Sequence, residues 1–343
     1  MIKRVLSAVF VLMLLATAFA GWRLLGPATA FDGEKRFLYI HTGMNYGQLL
    51  DSLRQDSLLT SPSFFDWIAR KRDYPSNVKA GKYEIKKGMS LVDIVRMLRN
   101  GRQAPIHLVI TKIRTRETLA SFIGKKFECD SAEAMRFFES NDSLAPFGLD
   151  SNNFMTAVMP DSYTLFWNTT PGAIFKKMFA EHKTWWTPLR RQEAAEKGLN
   201  PATAYILASI VEEETNAQSD KGKIASVYLN RMAKGMKLSA DPTVKFAMGD
   251  FELKRIYTKY TLTPSPYNTY LYPGLPPGPI CTPSQQTLTD VLESPKTDYL
   301  FFVAKPDLSG YSNFSATYKE HLEYRKQYTQ ALDQRGIGRK TGS

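Results

Sequence analysis

Glu212, Glu213 and Glu214 stand side by side at the end of a stretch that reads as one helix. Asn200-Pro201 opens it as an N-cap followed by proline at the first helical position, and Ala202 to Val211 form its body. With Ile210 as origin and about 100° per residue, Ile206 falls at about −40°, Leu207 at about +60° and Val211 at about +100°. The apolar stripe is therefore centred at about +30°. Glu212, at about −160°, is expected on the solvated side, and Glu213, at about −60°, on the flank. Glu214, at about +40°, falls on the stripe itself. A carboxylate there is costly unless neutral or paired, and desolvation raises its pKa, the condition a general acid needs near neutral pH. The spacing leaves three outcomes open: Glu214 turns to water at the helix end, pairs with Arg231 or Lys237, or holds a catalytic proton.

Other chemistry-bearing residues narrow the field by their scarcity. Cys129 and Cys281 allow one disulfide at most and form no CxxC pair; His41, His107, His182 and His321 form no HExxH. No metal and no cofactor is expected. The 343 residues carry 45 Lys and Arg against 33 Asp and Glu, a formal charge of +12, which calls for a polyanionic neighbour. Charged residues at 23% and hydrophobic ones at 43% exclude a disordered chain and a multi-span membrane protein.

The elements that must position the glutamates form an α+β protein with an N-terminal transmembrane helix. Val5 to Trp22 is an uncharged run of 18 residues, about 27 Å as a helix and close to the ~30 Å hydrocarbon core. Lys3 and Arg4 precede it, so the positive-inside rule keeps the N-terminus cytoplasmic and exports the body, which weakens nucleic acid as a partner. An uncleaved anchor over 1–25 is favoured by the length of the run; Ala18-Phe19-Ala20 is the rival signal-peptide site. From 34 to 104 the expected order is β-α-α-β-α: a strand at Arg36–Ile40, helices over Gly47–Leu53 and from Ser61-Pro62, a strand at Val78–Ile85, and a helix from Leu91 to Leu98 stopped by Asn100-Gly101. A mixed α+β catalytic domain then covers 105–332. It holds a strand over 106–113, helices over Thr115–Phe122 and Ser131–Glu139 with a stop at Asn141-Asp142-Ser143, and one long helical segment from Pro171 to Lys197. Trp185 and Trp186 on that segment read as core rather than as sugar platforms. Tyr318 to Arg335 reads as a charged helix; the residues from 333 to 343, with Gly338-Arg339-Lys340, are expected as a flexible tail.

LASIVEEET, followed by KIASVYLNRMAKGMKLSADPTVKFAMG, SPYNTYLYPGLPPGPICTP and the earlier MPDSYTLFWNTT, resembles the MltG (YceG-like) family of endolytic murein transglycosylases. The resemblance runs from about residue 35 to about 330. It implies an inner-membrane-anchored lyase, periplasmic in its catalytic domain, that cuts nascent peptidoglycan strands after N-acetylmuramic acid and leaves a 1,6-anhydro end. It also implies that GKYEIKKGMSLVDIVRMLRNG belongs to a LysM-like glycan module, and that wall-synthesis enzymes are partners. In the family pattern the glutamate before the threonine, here Glu214, is the acid. Tyr267, Asn268 and Thr269 of YNTY, Asp241 of DPTV, and Asp161 and Tyr163 of PDSY are implied to bind substrate or brace the cleft. Asp241 is also placed to cap the helix that follows it. His321 matches a family position and reads as structural. Glu213 stands where the family commonly has lysine, and if it points toward Glu214 its charge is expected to raise that group's pKa further. A hydrolytic muramidase and a non-catalytic peptidoglycan-binding scaffold are the alternatives.

Overall fold

The computed structural model describes residues 2–253 and 255–335; Gly338-Arg339-Lys340 lie outside the described residues. The chain divides into two compact units, one made of the residues up to Leu108 with Lys126–Cys129 and Thr164–Thr170, the other of Val109–Lys125, Asp130–Tyr163 and the residues from Pro171 onward.

The first unit opens with helix α1 (Ile2–Leu25), whose segment Arg4–Leu25 has a mean hydropathy of 2.2 and is long and apolar enough to cross a membrane. Strand β1 (Lys35–Ile40), helices α2 (Tyr46–Gln55) and α3 (Pro62–Lys71), strand β2 (Gly81–Lys86) and helix α4 (Leu91–Asn100) follow in the β-α-α-β-α order read from the sequence. β1 and β2 pair antiparallel, with Leu38 opposite Tyr83 and Ile40 opposite Gly81. Leu38, Ile40, Tyr83 and Ile85 point inward to meet Leu49, Leu53, Phe65, Ile94 and Leu98. Each helix start is a sequence signal: Asn45 with Gln48 makes a capping box, Pro62 sits in the first turn, and Ser90 accepts from Asp93 N. Gly101 ends α4 in the left-handed conformation, at φ 67°.

Strand β3 (Ile106–Val109) pairs with β4 (Ser162–Leu165). The strand expected to reach residue 113 stops at Val109 because the chain changes partners: Ile110 N donates to Asp161 O, and Ile113 exchanges hydrogen bonds with Thr282. Helices α5 (Arg116–Gly124), α6 (Ser131–Glu139) and α7 (Asn141–Leu144) come between β3 and β4; Asn141 thus starts a short helix rather than stopping one. The expected single helix over Pro171–Lys197 is two, α8 (Pro171–Trp185) and α9 (Pro188–Glu196). Thr187 accepts from Arg190 N and Pro188 cannot continue a helix, so a new one begins there. Trp185 and Trp186 are both buried, as read.

The second unit is organised around α10 (Pro201–Glu214), which packs against α11 (Gln218–Ala233), α12 (Asp241–Met248) and α13 (Gln285–Leu292). Strands β5 (Phe301–Ala304) and β6 (Ser312–Ser315) form an antiparallel pair, and α14 (Tyr318–Gln334) closes the described chain. Every residue of α10 from Ala204 to Val211 is buried, so the helix has no solvated face over those two turns. Cys129 and Cys281 are both buried and are not joined in a disulfide.

Candidate active site

The buried course of α10 carries its three glutamates into three different environments. Glu212, expected in solvent, lies between α11 and α13. Its carboxylate accepts from Lys221 Nζ at 2.9 Å, Ser284 Oγ at 3.1 Å and the Thr287 hydroxyl. Burial alone would raise its pKa; the Thr287 and Lys221 hydrogen bonds outweigh that and hold it below the ordinary carboxylate range. The helical wheel went astray because it assumed one wet face, and this helix has none at that depth.

Glu213 is paired from the segment before α5, by Lys112 Nζ at 3.0 Å and Arg114 Nη2 at 3.0 Å. Again burial raises and the two cations more than compensate, leaving the group below its ordinary value. This corrects the expectation that Glu213 raises Glu214. Its charge is spent on its own cations, and the carboxylate that does raise Glu214 is Asp241.

Glu214 differs from both: among the described residues no ion pair reaches it. Its Oε1 accepts from the hydroxyl of Tyr228 at 2.5 Å. Burial raises its pKa to about 7 and Asp241 adds to the rise, while the Tyr228 hydrogen bond, Arg231 and Lys245 oppose it. The residue keeps an edge open to solvent. Neither cation named as a possible partner pairs with it: Arg231 donates instead to Leu300 O at 2.7 Å and Leu238 O at 2.6 Å. Tyr228 is buried on α11 and ties the base of the site to that helix.

Asp241 is the first residue of α12 rather than its cap; Ala240 occupies the cap position. Its exposed carboxylate accepts from Tyr270 Oη at 2.6 Å. Tyr270 is therefore the member of YNTY that faces the acid region, and the family segments alone did not single it out. Asn268 is fully buried, donates to Thr261 O and Thr263 O, and accepts from Tyr270 N; it shapes its own loop. Thr269 is buried too, its Oγ1 accepting from Ala240 N at 3.0 Å and meeting Thr243 Oγ1 at 2.9 Å, which clamps the loop to the start of α12. Tyr163 is buried and donates to Met159 O at 2.6 Å. Each of these three has polar atoms committed inside the protein, an arrangement that suits bracing the cleft rather than touching substrate. Asp161 is exposed, and its carboxylate accepts from Ser162 N. Tyr267 lines a cavity with Phe246, Arg114 and Arg116. His321 stacks on Phe301 at 5.2 Å between centroids, and burial lowers its pKa. Sequence spacing could not have found Tyr228 or the Lys112–Arg114 pair, since they come from separate elements; only the alternation of Lys112 and Arg114 on an extended segment hints at them.

The raised carboxyl has a stability consequence with a definite sign. Because the folded state holds the Glu214 proton up to about pH 7 and the unfolded chain releases it near the ordinary 4.5, stability tied to this group is full below about pH 4.5 and lost as pH rises through 7. Glu214→Gln, which keeps the Tyr228 hydrogen bond, is expected to gain up to about 3 kcal/mol on wild type between pH 4.5 and pH 8. Thermal melts of both proteins across that range read the difference; a constant offset would refute a raised pKa.

A protein whose central buried helix ends in one desolvated, unpaired carboxyl, backed by a tyrosine and flanked by an aspartate, is an α+β enzyme built for acid–base work. The sequence profile of the YceG-like family matches residues 38–327, and the chain belongs to that family. It is 26% identical to the endolytic murein transglycosylase of Bacillus subtilis, with 92% of this chain and 91% of that protein aligned. It is also 26% identical to the endolytic murein transglycosylase of Streptococcus pneumoniae D39 over 86% of this chain and 60% of that one. The crystal structure of a YceG-like protein from Listeria monocytogenes superposes with a TM-score of 0.57 at 27% identity, covering 84% of this chain and 98% of that one.

Proposed function

We propose that this chain is an endolytic murein transglycosylase, a lyase that cuts within peptidoglycan glycan strands and limits their elongation. The observation that carries the reading is the single carboxyl of Glu214, raised to about 7 with no cation paired to it among the described residues. Glu214 donates its proton to the glycosidic oxygen as the bond from N-acetylmuramic acid breaks. The resulting carboxylate then takes the proton of that sugar's own C6 hydroxyl while the oxygen closes on C1, giving a 1,6-anhydro end and restoring the acid. One residue serves as acid and then as base. A hydrogen bond from Tyr228 stabilises the carboxylate between the two transfers.

The hydrolytic muramidase has one observation in its favour. Asp241 is a second carboxylate whose field reaches Glu214, and hydrolysis needs such a partner to activate water or attack C1. Against it, Asp241 is held by Tyr270. Mass spectrometry of digested strands decides: the transglycosylase leaves muramic ends lighter by one water, whereas hydrolysis leaves reducing ends and would sink the proposal. Since the reaction starts from the acid form, kcat/KM is expected to fall tenfold per pH unit above about 7.

The remaining assignments fit this chemistry. Lys3 and Arg4, at the start of α1 and ahead of its uncharged run, set the N-terminus in the cytoplasm and the body outside, at the inner membrane. The β-α-α-β-α unit over 34–104 is read as a LysM-like module on the glycan, and peptidoglycan synthases as the neighbours that deliver nascent strands. The charge of +12 then faces anionic lipid and carboxylate-bearing wall polymer, with no role for nucleic acid.

A further inference from the structure

Within the second unit lies a cavity of about 200 Å³ that the bond-breaking step does not use. Its walls include Arg116, Asn152, Phe246 and Tyr267. The rings of Phe246 and Tyr267 are 4.6 Å apart, and Gly278 packs behind two of the wall residues so closely that a Cβ there would stand 2.5 Å from Asn152 O and 2.8 Å from Tyr267 Oη. Two of its wall residues stand one step from groups that bear on the acid. Arg114, on its rim, holds Glu213, the residue before Glu214; Phe246 follows Lys245, whose charge bears on Glu214.

Three cations alternate on this side of the chain: Lys112, Arg114 and Arg116. Glu213 takes the first two. Arg116 has Glu117, also on the cavity wall, at 4.0 Å, beyond hydrogen-bond reach; its guanidinium stands 6.0 Å from the centre of the Phe154 ring, and its charge acts on the Tyr267 hydroxyl. Among the described residues this guanidinium makes no hydrogen bond, and beside a phenol, an amide and aromatic faces it matches a carboxylate on a short chain. The volume is below the ~300 Å³ typical of whole small-molecule sites, so a side group fits and a disaccharide does not.

Resting on the transglycosylase reading, we infer that this cavity takes a carboxylate of the peptide carried by the muramic acid, with Arg116 as the residue that makes the enzyme prefer peptide-bearing strands. The test compares strands with intact stem peptides and strands stripped of them by an amidase, using the full chain in detergent. Arg116→Gln is expected to raise KM for peptide-bearing strands at least tenfold more than for stripped strands, with kcat changed less than KM, and Arg116→Lys to recover part of the loss. Equal effects on both substrates, or none on either, overturn the inference while leaving the transglycosylase standing. Binding to the Glu214→Gln protein gives an answer independent of turnover. A peptide-bearing disaccharide should bind more tightly than a bare one, and the added Arg116→Gln change should erase that difference; a preference that survives Arg116→Gln, or is absent from the start, overturns it. If wild type cuts neither substrate, the transglycosylase reading itself has failed, and the binding comparison still decides the cavity's role.

Discussion

Glu214→Gln is expected to lower kcat for strand cleavage by about a thousandfold while KM stays within a few fold. Glutamine fills the same volume and still accepts the Tyr228 hydrogen bond, so the cleft keeps its shape. What it lacks is the proton that the leaving oxygen needs and the base that the C6 hydroxyl needs, and a single substitution removes both. The stability measurement guards against a trivial explanation, since the variant is expected to be at least as stable as wild type above pH 7. Glu213→Gln is the control. It leaves Lys112 and Arg114 without their shared carboxylate, yet it touches no group that sets the Glu214 proton, so its kcat should fall about tenfold or less. Cleavage that survives Glu214→Gln would overturn the mechanism and favour a different acid; a wild-type protein that binds glycan without cutting it would favour the scaffold.

The position of Glu214 was legible because it breaks a pattern: a charged residue in line with Ile210 and Leu207 has to be explained. The same wheel misplaced Glu212, since periodicity tells which face is most apolar and cannot tell that the opposite face is buried as well. The first-unit elements were legible down to their caps because Asn45, Ser90 and Gly101 act on their immediate neighbours. Pro188 splits the long helical segment by the same local logic, and the apolar run across Trp185 and Trp186 concealed it. Family segments located the loop at 267–270 without resolving its labour. Asn268 and Thr269 are held by their own backbone and by α12, leaving Tyr270 and Tyr267 to face outward from it. Such a division depends on which way each side chain turns, and nothing short of the folded loop encodes it. Tyr228 lies beyond sequence reasoning for another reason: its hydroxyl meets Glu214 only because α10 and α11 pack together.

Lys221→Met is expected to cost about 3–5 kcal/mol and lower the melting temperature by about 10 °C. The ammonium of Lys221 is buried and reaches both Glu212 at 2.9 Å and Thr287 Oγ1 at 2.7 Å. Without it, a carboxylate shielded from water keeps only the hydroxyls of Ser284 and Thr287, and two hydroxyls do not balance its charge. Burial, now opposed only by the Thr287 hydrogen bond and the charge of Lys112, pushes the Glu212 pKa upward. The penalty should therefore shrink as pH falls and the carboxyl takes up its own proton, whereas wild type loses stability through Glu212 over the same acid range. Thermal melts at pH 7 and pH 4 separate this from simple loss of packing, which would cost the same at both. The double variant Lys221→Met with Glu212→Leu removes charge and partner together. It should recover most of the stability, because the pair's worth lies in its mutual compensation rather than in either charge alone. If the double variant is instead as unstable as the sum of its parts, the pair contributes through shape and not charge. In either outcome the pair sits two residues before Glu214, so the double variant also measures how far the acid depends on this clamp. A variant that folds like wild type but loses kcat would show that Glu212 and Lys221 fix the end of α10, and with it the aim of the catalytic carboxyl.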